Sequence, residues 1–124
     1  MPITNLVQNP FPVLRETLDL GEYHEDLAGN TVEVWLNPSQ AYYKRWRDFH
    51  DRVKDLQSQD FDLVPQDVRD ERARLWADLW GIPEDDAAAL FENPQADNLV
   101  TWMCDQTWGR INSYALRRKK AASG

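Results

Sequence analysis

Two spacings divide the chain. From Thr31 to Leu36 the apolar residues alternate, with Val32, Val34 and Leu36 on one side and Thr31, Glu33 and Trp35 on the other, which is the period of a half-buried strand. A weaker alternation from Val13 to Leu20 sets Leu14, Leu18 and Leu20 opposite Arg15, Thr17 and Asp19. The segment Gly21–Asn30 between them is too long for a tight hairpin turn, so the spacing predicts a protruding loop that closes on the Gly29-Asn30 turn. Ahead of the first strand, Pro2, Asn9, Pro10 and Pro12 mark an irregular arm over residues 1–12.

Beyond Leu36 the period changes to that of a helix. Asn37 suits an N-cap, Pro38 the first helical position, and Gln40 the far side of a capping box. Tyr42, Trp46, Phe49, Val53 and Leu56 then recur four and three apart as an apolar stripe. The opposite face offers Lys44 with Asp48, Arg47 with Asp51 and Asp48 with Arg52, all at helical pairing distance, which describes a self-neutralising surface and argues against a nucleic-acid patch. A second helix should start near Pro65 and end at Trp80 with Gly81 beyond it, its stripe centred on Val68, Leu75 and Leu79 and widened by Trp76 and Trp80. Pro83 opens a short third helix through Phe91, with Glu84, Asp85 and Asp86 in the turn where the helix dipole favours acids. Asn93-Pro94 breaks it, and a last helix follows from Asp97 to Arg118.

These elements predict a mainly α fold, about four helices with a small N-terminal β-hairpin or β-pair, in one domain. Residues 1–38 form the arm and β-pair, 39–118 the helical body, and 119–124 a disordered basic tail. The core should centre on Leu18, Val34, Trp46, Phe49, Val53, Leu75, Leu79, Phe91, Trp108 and Ile111.

Composition sharpens this picture at two points. Six tryptophans in 124 residues are more rings than one small core needs, and such rings are enriched where proteins grip one another. They also build ordinary cores, so composition leaves both roles open. The net charge of −7 is unevenly placed: all 21 acidic residues lie at or before Asp105, whereas Arg110, Arg117, Arg118, Lys119 and Lys120 stand in a stretch with no acid. That basic end complements a helix dipole and equally suits an acidic partner. The start of the chain lacks the pattern of a secretion signal, no apolar run is long enough to span a membrane, and a lone cysteine fits a reducing compartment, so a cytoplasmic location is expected.

Candidate chemistry is sparse. Glu22, His24, Glu25 and Asp26 share the long loop and could hold a cation, yet lack the rigid spacing of a metal site. His50 sits at the edge of the first helix's stripe, Cys104 falls within the apolar arc of the last helix, and helix N-terminal charge accounts for Glu84, Asp85 and Asp86. There is no glycine-rich phosphate loop. No catalytic, cofactor or metal residue is assigned, and no enzyme reading follows.

The last helix carries the informative asymmetry. Val100, Met103, Cys104, Thr107, Trp108, Ile111, Tyr114 and Ala115 fill one broad arc, assigned to the core. Trp102, Gly109 and Leu116 run along the opposite side, where a ring, a bare backbone and a leucine would let another helix approach. With Arg117 and Arg118 they are the expected partner-binding residues, toward a client or a second copy of the chain.

The segments Leu18-Asp19-Leu20-Gly21 and Leu27-Ala28-Gly29-Asn30-Thr31-Val32-Glu33-Val34 put a short strand before a glycine-turned second strand and an all-helical body. The chain closes with Leu99-Val100-Thr101-Trp102, then Trp108, Tyr114 and the basic Arg117-Arg118-Lys119-Lys120. In this order of elements the chain resembles the small tail assembly chaperones of long-tailed bacteriophages. The resemblance implies a non-enzymatic role: holding the long helical tape-measure protein soluble and assisting tail-tube polymerisation around it. Members are often made in a short and a frameshifted long form, and the Lys119-Lys120 doublet is compatible with a slippery codon pair. Two other roles remain open from the residues alone: a structural virion component at the head–tail junction, and an acidic decoy that blocks a host defence nuclease. The interleaved charges of the first helix and the basic end speak against the decoy.

Overall fold

In the computed structural model, which describes residues 12–56 and 64–123, strands β1 (Arg15–Asp19) and β2 (Thr31–Trp35) precede helices α1 (Gln40–Asp55), α2 (Gln66–Trp80), α3 (Glu84–Glu92) and α4 (Asp97–Ser123). The fold is mainly α with a small antiparallel β-pair, as the spacing predicts. Leu18 faces Val32 and Glu16 faces Val34 across the pair. The period of two therefore turns Leu18, Val32 and Val34 inward, and all three are buried. Pairing extends past both ends of the strands: the Leu36 amide donates to the Leu14 carbonyl and the Leu20 amide to that of Asn30, each at 2.8 Å.

The segment after β1 does not protrude as a plain loop. It winds into two short 3-10 turns, Leu20–Glu22 and Glu25–Leu27, and lies back against the body. Asp19 organises it, because one carboxylate oxygen accepts the amides of Gly21 at 2.8 Å and Gly29 at 3.3 Å, bringing two residues eight apart in the chain to one atom. A side chain at Gly21 would begin 2.8 Å from the Ala28 Cα, so the closure needs glycine there. Leu27 packs against the core and Tyr23 meets Trp102, with ring centroids 5.5 Å apart. The predicted loop length was right; its polar sequence hid the few apolar contacts that pull it down.

The first helix starts two residues later than its capping pattern suggests. Ser39 is the N-cap, its hydroxyl accepting the Tyr42 amide at 3.2 Å. Asn37 is occupied elsewhere: its side chain accepts the Leu14 amide at 2.9 Å and donates to the Pro12 carbonyl at 2.7 Å. The expected ion pairs along α1 also give way to pairs with α2. Arg45 meets Asp78 at 2.9 Å and Glu71 at 3.4 Å, and Arg52 meets Asp67 at 2.7 Å. Burial works to lower the Arg45 pKa, but the Asp78 and Glu71 carboxylates outweigh it and raise it.

Helix α2 is the centre of the molecule, with β2, α1 and α3 all packed on it. It ends as predicted, at Gly81 in the left-handed conformation (φ 63°), whose amide donates to the Ala77 carbonyl. Arg15 reaches from β1 to that end of the helix, donating to the Asp78 carbonyl at 3.1 Å and the Glu33 carbonyl at 2.8 Å. A cation at a helix C-terminus complements the carbonyl dipoles there.

Large rings fill the space between α2, α1 and α4. Trp46 lies 5.3 Å from Trp76 and 5.5 Å from Trp108, Trp76 lies 4.9 Å from Trp80, and Trp80 stacks on Phe91 at 5.9 Å. The apparent surplus of tryptophan is thus largely absorbed inside, because side chains this long can bridge helices whose backbones stay apart. Of the predicted core, Leu18, Val34, Trp46, Leu75, Leu79 and Ile111 are buried, while Phe49, Val53, Phe91 and Trp108 are only partly covered. Trp80, expected only to widen the stripe of its helix, is fully buried, as are Met103 and Thr107 of the arc assigned to the core; Tyr114 and Ala115 at the far end of that arc are not. The Thr107 hydroxyl accepts the Trp80 indole N–H at 2.9 Å and donates to the Met103 carbonyl at 2.6 Å, so its polarity is satisfied.

Helix α4 continues to Ser123, beyond the expected end at Arg118 and through most of the segment expected to be a disordered tail. Lysine and alanine are strong helix formers and cations suit a final turn, so nothing local stops the helix at Arg118. Gly124 and the greater part of the N-terminal arm, residues 1–11, lie outside the described residues.

Candidate protein-interaction groove

The sequence pattern treats α4 as one helix, but its surroundings divide it. Val100, Met103, Thr107 and Ile111 are buried, whereas from Asn112 to Lys119 only Tyr114 is even half-covered. Between this projecting half, the start of α1 and the segment leading into it lies a groove of about 820 Å³. Trp35, Leu36 and Tyr43 form one wall, and Ile111, Tyr114 and Ala115 the other. Val13 stands on the rim, 61% exposed, and Arg118 and Lys119 line the end toward which α4 runs.

Each wall follows from local structure already described. The two Asn37 hydrogen bonds hold residues 12–14 beside the start of α1, which sets Val13 on the rim. Capping by Ser39 fixes the rotation of α1, so that neighbouring tyrosines part company by about 100°. Tyr42 turns into the core, where its hydroxyl donates to the Leu75 carbonyl, and burial pushes its phenol far above the ordinary value of 10.0. Tyr43 turns to the groove, its phenol raised more modestly by partial burial. Trp35 is held between the Tyr42 ring at 5.0 Å and the Arg15 guanidinium at 5.9 Å.

The five residues expected to bind a partner do not share one surface. Trp102 is half-buried beneath Tyr23 and packs against the core. Gly109 is open, with no atom of the described residues within 4 Å of the position a Cβ would take, and Leu116 is 60% exposed on the same outer side. Arg117 lines a shallow cleft with Glu16, Asp105 and Gly109, while Arg118 belongs to the groove. Arg110 turns inward, pairing with Glu16 at 3.0 Å and Glu22 at 3.3 Å, so part of the basic end is spent holding the β-pair to α4. Sequence reasoning missed Trp35, Tyr43 and Tyr114 as a set. The available signal was Trp35 itself, a large ring at an outward phase of β2.

The other candidates are accounted for locally. His24 caps the second 3-10 turn by accepting the Asp26 amide at 3.1 Å, and Glu22 is turned away toward Arg110. His50 is exposed and lies on the Trp46 ring at 5.5 Å. Burial pushes the Cys104 thiol up to about 12, so it stays protonated and a poor nucleophile at neutral pH. Glu84 pairs with Arg74 at 3.3 Å. Among the described residues, no cluster of His, Cys, Asp or Glu could hold a metal ion, and no helix is long and apolar enough to cross a membrane. Comparison with protein-family models, curated proteins and solved structures finds no match. The described residues that line the groove are mainly aromatic and aliphatic, with Asn37, Ser39, Gln40, Arg118 and Lys119 among them.

Proposed function

We propose that this chain is a non-enzymatic protein-binding domain that acts as a tail assembly chaperone of a long-tailed bacteriophage. In that role it engages the helical tape-measure protein in the host cytoplasm while tail-tube protein assembles around it. The observation that carries the reading is the aromatic groove beside the projecting half of α4. A concave strip with Tyr and Trp walls accepts the apolar face of an amphipathic helix, the kind of segment a long helical client exposes. The net charge of −7 would keep a complex with such a client in solution. The resemblance in element order supplies the biological setting.

Co-expression with a long coiled-coil tape-measure protein as client tests the reading. The client is expected to be soluble only in the presence of this chain, and the two should elute as one complex. Val13→Glu, on the exposed rim, should abolish that complex without lowering the melting temperature. A client equally soluble with and without this chain, with no complex on a sizing column, would overturn the proposal in favour of a virion component or a decoy.

A further inference from the structure

Four of the six indoles form a connected set. Trp76 is its hub, with ring centroids 4.9 Å from Trp80, 5.3 Å from Trp46 and 5.8 Å from Trp108, and Trp46 and Trp108 close the set at 5.5 Å. Indole is one of the most readily oxidised side chains, and at such separations an electron vacancy passes between rings faster than either ring reacts. The members differ in whether they can discharge it. An oxidised indole is a cation until its N–H proton leaves, and a cation is costly where water is excluded. Trp80 is fully buried, and its N–H donates at 2.9 Å to the Thr107 hydroxyl, which itself donates to the Met103 carbonyl. Neither oxygen is basic enough to take the proton. Trp46 and Trp76 are 7% and 6% exposed, whereas Trp108 is only partly covered and can meet water.

From this arrangement we infer that Trp108 is an oxidative modification site, where oxidising equivalents created anywhere in the four-ring set collect and become covalent. Ultraviolet light supplies the energy and dioxygen is the oxidant. Light ejects an electron from one indole, and dioxygen takes that electron up as superoxide. Electrons then shift from ring to ring until the vacancy lies on Trp108, which loses its N–H proton to water. The neutral Trp108 radical combines with superoxide and one proton to give a ring hydroperoxide, which opens the pyrrole ring to N-formylkynurenine. Overall Trp108 gains both atoms of one dioxygen molecule, and the ring first ionised is restored.

Exposure alone is the rival account, and the chain contains a control for it. Trp35 and Trp102 are also partly covered, but the rings beside them are Tyr42 and Tyr23. The Tyr42 hydroxyl donates to the Leu75 carbonyl, which cannot take its proton, so that ring does not extend the set to Trp35.

The whole chain is irradiated in aerated buffer to low conversion, and N-formylkynurenine is mapped by peptide mass spectrometry. Trp108 should carry several-fold more product than Trp35 or Trp102. Trp76→Phe removes the hub, so product should rise at Trp80 and fall at Trp108. Trp108→Phe removes the exit and should spread product over Trp46, Trp76 and Trp80. That position is only partly covered, so this second variant tests the relay even if Trp76→Phe fails to fold. Equal product at Trp35, Trp102 and Trp108 would show that exposure alone decides, and would overturn the inference. A Trp108 yield indifferent to a folded Trp76→Phe, no rise at the other three rings in Trp108→Phe, or oxidation gathering at Cys104 would each overturn it too.

Discussion

The two halves of α4 share one backbone and differ in what surrounds them. The first half, through Ile111, is packed on β2 and α3 and carries the Thr107 hydroxyl that receives the Trp80 indole. The second half has one seam against the groove and is otherwise exposed from Asn112 to Lys119, with a run of cations in its sequence. Nucleating a helix is costly and extending one is cheap, so the packed half lets the projecting half stay helical without a core of its own. Stability and contact are thereby assigned to different turns of one element. Changes along the groove seam of the second half should alter binding and leave folding alone.

The largest expected effect tests the packed side. Trp80 is fully buried between α2, α3 and α4, and Trp80→Ala should cost about 3–5 kcal/mol in denaturant unfolding, enough to unfold most small domains. A loss below about 1 kcal/mol would mean that the ring cluster is not the core of this fold. Thr107→Val is a finer probe, since it keeps the shape and removes the acceptor of the Trp80 indole N–H. A cost of about 1–3 kcal/mol is expected from the donor left unsatisfied. The comparison would blur if the same measurement found Thr107→Val neutral.

A pH series reaches the same core from α1. Because burial raises the folded-state pKa of Tyr42 above its ordinary 10.0, the unfolded chain loses that proton first as pH rises. The stabilisation is complete below pH 10, declines as pH climbs toward the higher folded value, and should lose that slope in Tyr42→Phe. The smallest effects belong to the outer side of α4. Leu116→Ala should change stability by less than about 0.5 kcal/mol, and Gly109→Leu should raise it by up to about 1 kcal/mol, because no described residue stands near that backbone and glycine is a weak helix former. Client binding should survive both. Loss of binding in Gly109→Leu would move the contact surface from the groove to the line of Trp102, Gly109 and Leu116.

Much of the architecture was legible because its signals are local. Proline and glycine bracket α2, alternation marks β2, and Asn93-Pro94 separates α3 from α4, each acting within a few residues. The groove was not legible for the opposite reason. It depends on Asn37 reaching back to residues 12–14 and on which flank of α1 faces α4, and neither follows from spacing along one element. The same limit explains Trp102, whose outward phase on α4 was read correctly but whose cover, Tyr23, comes from a turn far away in sequence. A helical wheel gives a side chain's direction and says nothing of what arrives there.

The indole cluster has an optical consequence. Trp46, Trp76, Trp80 and Trp108 sit with centroids 4.9–5.8 Å apart and mostly at steep angles to one another, close enough for their electronic transitions to couple. Coupled chromophores produce a paired positive and negative band in circular dichroism, which here would overlie the helical signal in the far ultraviolet. Its amplitude depends on the mutual orientation of the rings and vanishes once they tumble independently. A chain that kept its helices but lost its side-chain order would therefore betray itself by colourless light alone, with no label attached.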